Sequence, residues 1–400
     1  MSDWQDFCRQ TVQDIQQRCP ELDGYALFVE PLTHERFITA VRAALGKQPQ
    51  EFADRVIEQL NLVDRDNQRQ ANRLYGQGGA FSMTLDLQPG QLEPVSILNP
   101  VQHIHAPFQS EPYIPHRISW HSHLGTDHTD GFNQEQATRL MRQSAWHEVG
   151  HTMANRWGHT RSFEPEPPRH LAETPTPEDY VSLARHNASE QYADGYSLRQ
   201  LAQDDLDEAL ITAVELADHR AINMMESLLK GDEDVLKYSV DPAITAAIKD
   251  MPDLAQTAKT GAGTPSKQIT EMTNQAVRRG HVPPADLAEL AAYGKKLRAG
   301  FATSETGFSA ELAAMGKEAK GAASYYLVRN YLNAMARYLA PDQPIQTGLE
   351  QARHALAANP NAAQWDAANP AADALATATK LHAQRAQPQL APQPAMALGA

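Results

Sequence analysis

The chain has 400 residues, enough for two or three domains and a sizeable buried core. Its formal net charge of -14 speaks against a general binder of nucleic acid or anionic membrane, since gripping phosphate takes concentrated Lys and Arg. No apolar run approaches the roughly 18 residues of a membrane-spanning helix, and Met1 to Phe7 lack the basic and apolar regions of a secretory signal. The expected setting is therefore cytoplasmic, or export by a route that reads no such signal.

Residues 1–76 read as an N-terminal helical region. Trp4, Phe7, Cys8, Val12 and Ile15 stripe a first helix, Phe37, Ile38, Val41 and Leu45 a second, and Phe52, Val56, Ile57 and Leu60 a third. The chain's two cysteines, Cys8 and Cys19, fall about 16 Å apart by helical rise, too far for a disulfide unless the helix breaks. Both are expected as reduced, buried thiols. From residue 77 the pattern changes to short strands, with Phe81 to Leu87 and Leu92 to Leu98 joined across Pro89-Gly90 as a hairpin. Val101 to His105 and Ile118 to His123 alternate as strands too, which puts His103 with His105, and His121 with His123, on one face each. These histidines fit ordinary polar strand faces, the rim of a substrate cleft or, if the strands lie side by side, a second metal site. His103, His105 and Glu111 come near a cupin ligand pattern but miss its spacing.

The next segment carries the chemistry. Asn133 and Gln136 offer a capping pair, and Ala137, Leu140, Met141, Ala145, Val149 and Met153 recur at helical spacing to about Trp157. Within this helix stand His147, Glu148 and His151. Residues four apart lie one above the other on a helix face, so His147 and His151 can share one metal while Glu148 reaches a water bound to it. The bland alternative is two surface histidines on a structural helix. A second helix starts at Thr176, Pro177, Glu178 and Asp179, a hydroxyl cap followed by proline and acids at the positive end of the dipole. It is expected to run to about Leu201 and carries Glu190 and Asp194, again four apart. Glu190 can supply the third ligand of a catalytic zinc while Asp194 holds a ligand histidine by its free ring N–H.

His159 and His186 compete for the third place. His159 follows His151 by eight positions, whereas the metzincin extension puts its glycine and histidine three and six positions on, where this chain has Ala154 and Trp157. His186 stands one turn before Glu190 and faces either the cleft or solvent. Residues 77–231 thus form the expected catalytic core and 232–343 a helical, alanine-rich region, interrupted at Gly261 to Pro265 and at Pro283-Pro284. Residues 344–400 form a tail rich in Ala, Gln, Asn and Pro, with disorder expected from Gln387.

With these residues in hand, the chain resembles the gluzincin metallopeptidases, whose pattern is HExxH followed by a Glu and an Asp four apart on a second helix. Glu190-xx-Ala193-Asp194 looks most like the form in HtpX-type and CAAX-prenyl proteases. It is also similar to the metallopeptidase domains attached to ArdC-type antirestriction proteins. The likeness covers about residues 133 to 203. HtpX-type enzymes are embedded in membranes, so it concerns the site and not the cellular setting. It implies His147, His151 and Glu190 as zinc ligands, Glu148 as general base and Asp194 as the outer partner of a ligand histidine.

The expected fold is α+β and mainly helical: a zincin-like core with a small antiparallel sheet beside the active-site helix. The expected function is a soluble endopeptidase using one Zn2+ per chain, with Glu148 taking a proton from the attacking water and passing it to the leaving amine. His219, Tyr192, Tyr196 and His186 are the candidates to steady the developing oxyanion. A protein or peptide is the expected partner, with no nucleic acid and no membrane span. The alternatives are a zinc hydrolase of a non-peptide amide, or a helical interaction protein with a structural or degenerate zinc site. A housekeeping peptidase, a mobile-element accessory protein and an effector delivered into another cell all fit such a chain.

Overall fold

A computed structural model describes residues 2–22, 26–28, 81–85, 95–99, 134–157, 175–261, 263–301, 308–338, 343–368 and 378–380, with isolated helical residues between 39 and 58. Residues 101–133, 158–174 and 381–400 lie outside these. The expectations for His103, His105, Glu111, His121, His123, His159 and disorder from Gln387 fall there, as does the Asn133 cap, whereas the expected tail from 344 is helical at Gln343–Ala357 and Ala362–Ala368.

Helix α1 (Ser2–Arg18) leads to three short strands: β1 (Ala26–Phe28), β2 (Phe81–Leu85) and β3 (Val95–Asn99). Then come α2 (Gln134–Trp157), α3 (Pro177–Ala202) and α4 (Leu206–Lys230). Behind a 3-10 turn at Glu233–Tyr238 follow α5 (Asp241–Lys259), α6 (Ser266–Arg279), α7 (Pro284–Phe301), α8 (Phe308–Glu318), α9 (Ala322–Tyr338), α10 (Gln343–Ala357) and α11 (Ala362–Ala368).

The expected α+β class is overturned. From Gln134 onward no described residue is in a strand, and the body that carries the His147 motif is helical throughout. The strands, of 3, 5 and 5 residues, do not make the antiparallel sheet expected. β2 does pair antiparallel with β3, Phe81 opposite Asn99 and Leu85 opposite Val95, but β1 joins β3 in parallel. The physical reason lies in the helices. They are long, firmly terminated and apolar on more than one side, so helix covers helix through most of the body, and of the short strands β2 and β3 pack against α2. Thr176 caps α3 through a reciprocal box, its N–H donating to Asp179 at 2.7 Å while the Asp179 N–H donates to its hydroxyl at 3.4 Å. Asp205 caps α4 by accepting from the Glu208 N–H at 3.0 Å, and Gly231, at φ 86°, ends it in the left-handed region that suits glycine.

α3 is the centre of the body. Every residue from Gln191 to Ala202 is buried, so α2, α5 and α6 surround it. One apolar cluster gathers Ile15, Val149, Met153, Tyr192, Leu198, Val214, Ile244, Met251 and Ile269 around it. A second gathers Met225, Leu228, Leu287, Leu297, Leu312, Val328, Leu349 and Leu356 from α4 and α7 to α10. Cys19, a free thiol, is buried against Tyr196 at 3.2 Å, and burial pushes it up to about 12. The side chain of Cys8 lies outside the described set. Among the described residues no helix is long and apolar enough to cross a membrane.

Candidate metal centre

The site begins with a glycine. A Cβ on Gly150, inside the motif, would stand 2.7 Å from Ala193 Cα and 3.0 Å from its carbonyl oxygen. Only a residue without a side chain lets α2 and α3 come this close. At that separation the short Glu190 and Asp194 side chains reach the imidazoles on the facing helix.

Three donor atoms converge there. His147 Nε2 lies 3.3 Å from Glu190 Oε2, His151 Nε2 lies 3.7 Å from the same oxygen, and the two Nε2 atoms are 3.0 Å apart. A tetrahedral ion with bonds of about 2.0 Å holds its ligand atoms about 3.3 Å apart. The outer ring nitrogens are both engaged: His147 Nδ1 meets Asp194 Oδ1 at 2.6 Å, and His151 Nδ1 meets the Ser189 hydroxyl at 3.1 Å. Donating outward from Nδ1 turns both Nε2 lone pairs toward each other and toward a carboxylate. Glu190 Oε2 is itself buried without a hydrogen bond, a state that carries a penalty unless a cation shares the space. The donor set and its spacing fit a metal ion, and His147, His151 and Glu190 could hold one.

Around this triad stands a shell of fixed charge. Asp194, fully buried, accepts two 3.0 Å bonds from Arg220 of α4 and one of 3.2 Å from Gln143, which also donates to Ser197 at 3.0 Å. Arg220 in turn lies over the Tyr238 ring, 4.4 Å from its centroid. Burial opposes ionisation of Asp194, but Arg220 and His147 outweigh it and hold the carboxyl well below the usual range. Burial likewise works against the Arg220 cation, which Asp194 more than restores. Glu190 is lowered to about 2, burial being overcome by His151 and His147. The two imidazoles part company. Burial pulls both down and takes His151 to about 4, whereas Asp194 and Glu190 lift His147 to about 10.

The remaining expected residues fall elsewhere. Glu148 is part-buried, and its charge bears weakly on the Tyr238 phenol. Tyr192 and Tyr196 are fully buried and stacked on each other at 6.0 Å, and Gln200 donates to the Tyr196 hydroxyl at 2.9 Å. They belong to the packing of α3 and are sealed from any substrate. His186 and His219 are part-buried and are not among the converging donors. Sequence reasoning missed Gly150, Gln143, Ser189, Arg220 and Tyr238. Gln143 alone carried a local signal, standing one turn before His147 on the same face.

No protein-family model, curated protein or solved structure matches this chain.

Proposed function

We propose that this protein is a zinc-dependent endopeptidase of gluzincin type, with His147, His151 and Glu190 as the zinc ligands. The observation that carries the proposal is the meeting of two imidazole Nε2 atoms and an orphaned carboxylate oxygen at near-tetrahedral spacings, with Glu148 next to His147 in the chain. Two nitrogens and one oxygen suit zinc and leave one position of its tetrahedron open. Bound there, zinc would polarise an amide carbonyl and acidify a water molecule. The chain's own groups divide the rest of the work. Asp194 fixes the His147 ring through Nδ1, Ser189 does the same for His151, and Arg220 clamps Asp194 from behind. Glu148 accepts the proton of the attacking water on its carboxylate and delivers it to the leaving nitrogen. A purely structural zinc would have no use for Glu148.

The test is metal analysis of the purified protein, then cleavage of casein or a peptide library with and without chelator. Zinc near one per chain and chelator-sensitive cleavage are expected. Glu148→Gln should keep zinc and fold while losing at least about a hundredfold in turnover. Near-normal turnover in that variant would sink the role of Glu148, and a chain that takes up no metal would sink the proposal as a whole.

A further inference from the structure

Tyr238 is held in place more firmly than a residue at the end of a short turn needs to be. Asn187, on α3 one turn before Glu190, donates both Nδ2 hydrogens to the main-chain carbonyls on either side of it, to Lys237 at 2.9 Å and Ser239 at 2.8 Å. Gln191 steadies Asn187 in turn, donating to its Oδ1 at 2.6 Å. On the side-chain level the phenol ring packs under the Arg220 guanidinium that clamps Asp194. The ring is therefore fixed relative to α3, the helix that supplies Glu190, and to α4, which supplies Arg220.

The hydroxyl of this fixed ring makes no hydrogen bond among the described residues and is not sealed off. Tyr238 and Arg220 line a cavity of about 650 Å3 together with Met224, Ile244, Met272 and Leu290. Of the charges that act on the phenol, Glu190 acts most strongly, ahead of Lys237, Arg220 and Glu148. The phenol thus borders a space large enough for a substrate side chain and lies within the field of Glu190, one of the converging donors. The other nearby donors are spoken for: Arg220 by Asp194, Gln143 by Asp194 and Ser197, Ser189 by His151.

We propose that Tyr238 is a catalytic residue whose hydroxyl donates a hydrogen bond to the carbonyl oxygen of the scissile amide as negative charge gathers there. The proposal rests on the peptidase function above and adds a residue to it. A neutral donor suits the place, because it strengthens as the oxygen becomes anionic and needs no reorganisation when the ring is already fixed.

Tyr238→Phe keeps the ring on Arg220 and removes only the hydroxyl. On a peptide that the wild type cleaves, kcat should fall by about a hundredfold with KM within about twofold, while zinc content and melting temperature stay unchanged. A second readout does not depend on turnover. In the Co2+-substituted protein the visible spectrum reports acetohydroxamate binding, which Tyr238→Phe should weaken roughly three- to tenfold, the scale of one hydrogen bond, at equal Co2+ affinity. Unchanged kcat and unchanged acetohydroxamate affinity would overturn the role of Tyr238 alone, and so would a loss that merely follows loss of metal. A wild-type protein that takes up Co2+ but neither cleaves peptide nor binds acetohydroxamate would remove the peptidase function, and Tyr238 with it.

Discussion

At the crossing of α2 and α3, a Cβ on Gly150 would stand 2.7 Å from Ala193 Cα, and at the crossing of α8 and α10 one on Gly316 would stand 2.5 Å from the Ala352 carbonyl oxygen. Both pairs of helices are in backbone contact through one glycine. Around Gly316 the neighbours are those of an ordinary interior: Leu312, Met315, Leu349 and Leu356, all buried in the second cluster. Around Gly150 they are His147, His151, Glu190, Asp194 and Arg220, held by a network of short polar contacts. Close approach is thus a packing device available to any helix pair. What needs a separate explanation is the filling. Burying ionised groups carries a desolvation penalty that apolar side chains avoid, and the α8–α10 crossing shows that this chain can close such a contact without them. The polar filling at α2–α3 is therefore not needed to close the crossing, and its donors could hold a metal ion.

The largest expected effect tests that contrast. Glu190→Ala removes the only carboxylate among the three converging donors, and zinc content of the purified, folded variant should collapse, since two imidazoles lack the charge and geometry to hold the ion. Asp194→Ala leaves the ligands but frees the His147 ring, so affinity or activity should drop about 10 to 100-fold. Full zinc occupancy in Glu190→Ala would break the comparison, because the polar cluster would then be a buried network with no bound partner.

The two glycines provide a second, smaller test. Gly150→Ala and Gly316→Ala each force helices apart, and each should destabilise the fold by about 1–3 kcal/mol in chemical denaturation of the metal-free protein. They should differ in metal binding. Gly150→Ala moves Glu190 away from the imidazoles and should weaken zinc binding at least tenfold, whereas Gly316→Ala should leave it unaltered. If both variants weakened zinc equally, the centre would depend on global stability and not on the local α2–α3 distance.

How far these residues were legible in the sequence follows from the same contrast. His147, His151, Glu190 and Asp194 are pairs at a spacing of four, and helical periodicity alone puts each pair on one face. That periodicity also carried information left unused. Tyr192 and Tyr196 stand two positions beyond Glu190 and Asp194, about 200° around the helix, so they had to point away from the ligands. Arg220 was hidden by its neighbour: His219 drew notice as an imidazole, yet the residue about 100° further round α4 is the one that reaches Asp194. Tyr238 and Gly150 depend on which helices meet, and no local pattern encodes that. The fold class failed for a related reason. Antiparallel pairing of β2 with β3 is written in alternation, but alternation says nothing about whether a sheet or further helices cover the site.

The smallest expected effect lies at the seam between the two clusters. Asp241 opens α5, which belongs to the metal-site cluster, and Asn330 of α9, in the other, donates a short hydrogen bond to its carboxylate. Burial raises the Asp241 carboxyl to about 6, with the neighbouring Arg329 and Asn330 only partly offsetting it. A folded-state value above the ordinary 3.8 means that folding favours the protonated form. The stability this group adds is then present at low pH and lost as pH rises through about 6. Asp241→Asn keeps an acceptor for Asn330 and removes the charge. In the metal-free protein with chelator present, it should raise stability by about 1 kcal/mol at pH 8, allowing for screening of a part-exposed group. The gain should shrink to about a third of that at pH 4.5, where wild-type Asp241 is protonated in the folded chain but still largely ionised in the unfolded one. Melting temperatures of both proteins at the two pH values decide the matter: an equal gain at both would mean that the charge of Asp241 is not what strains the seam.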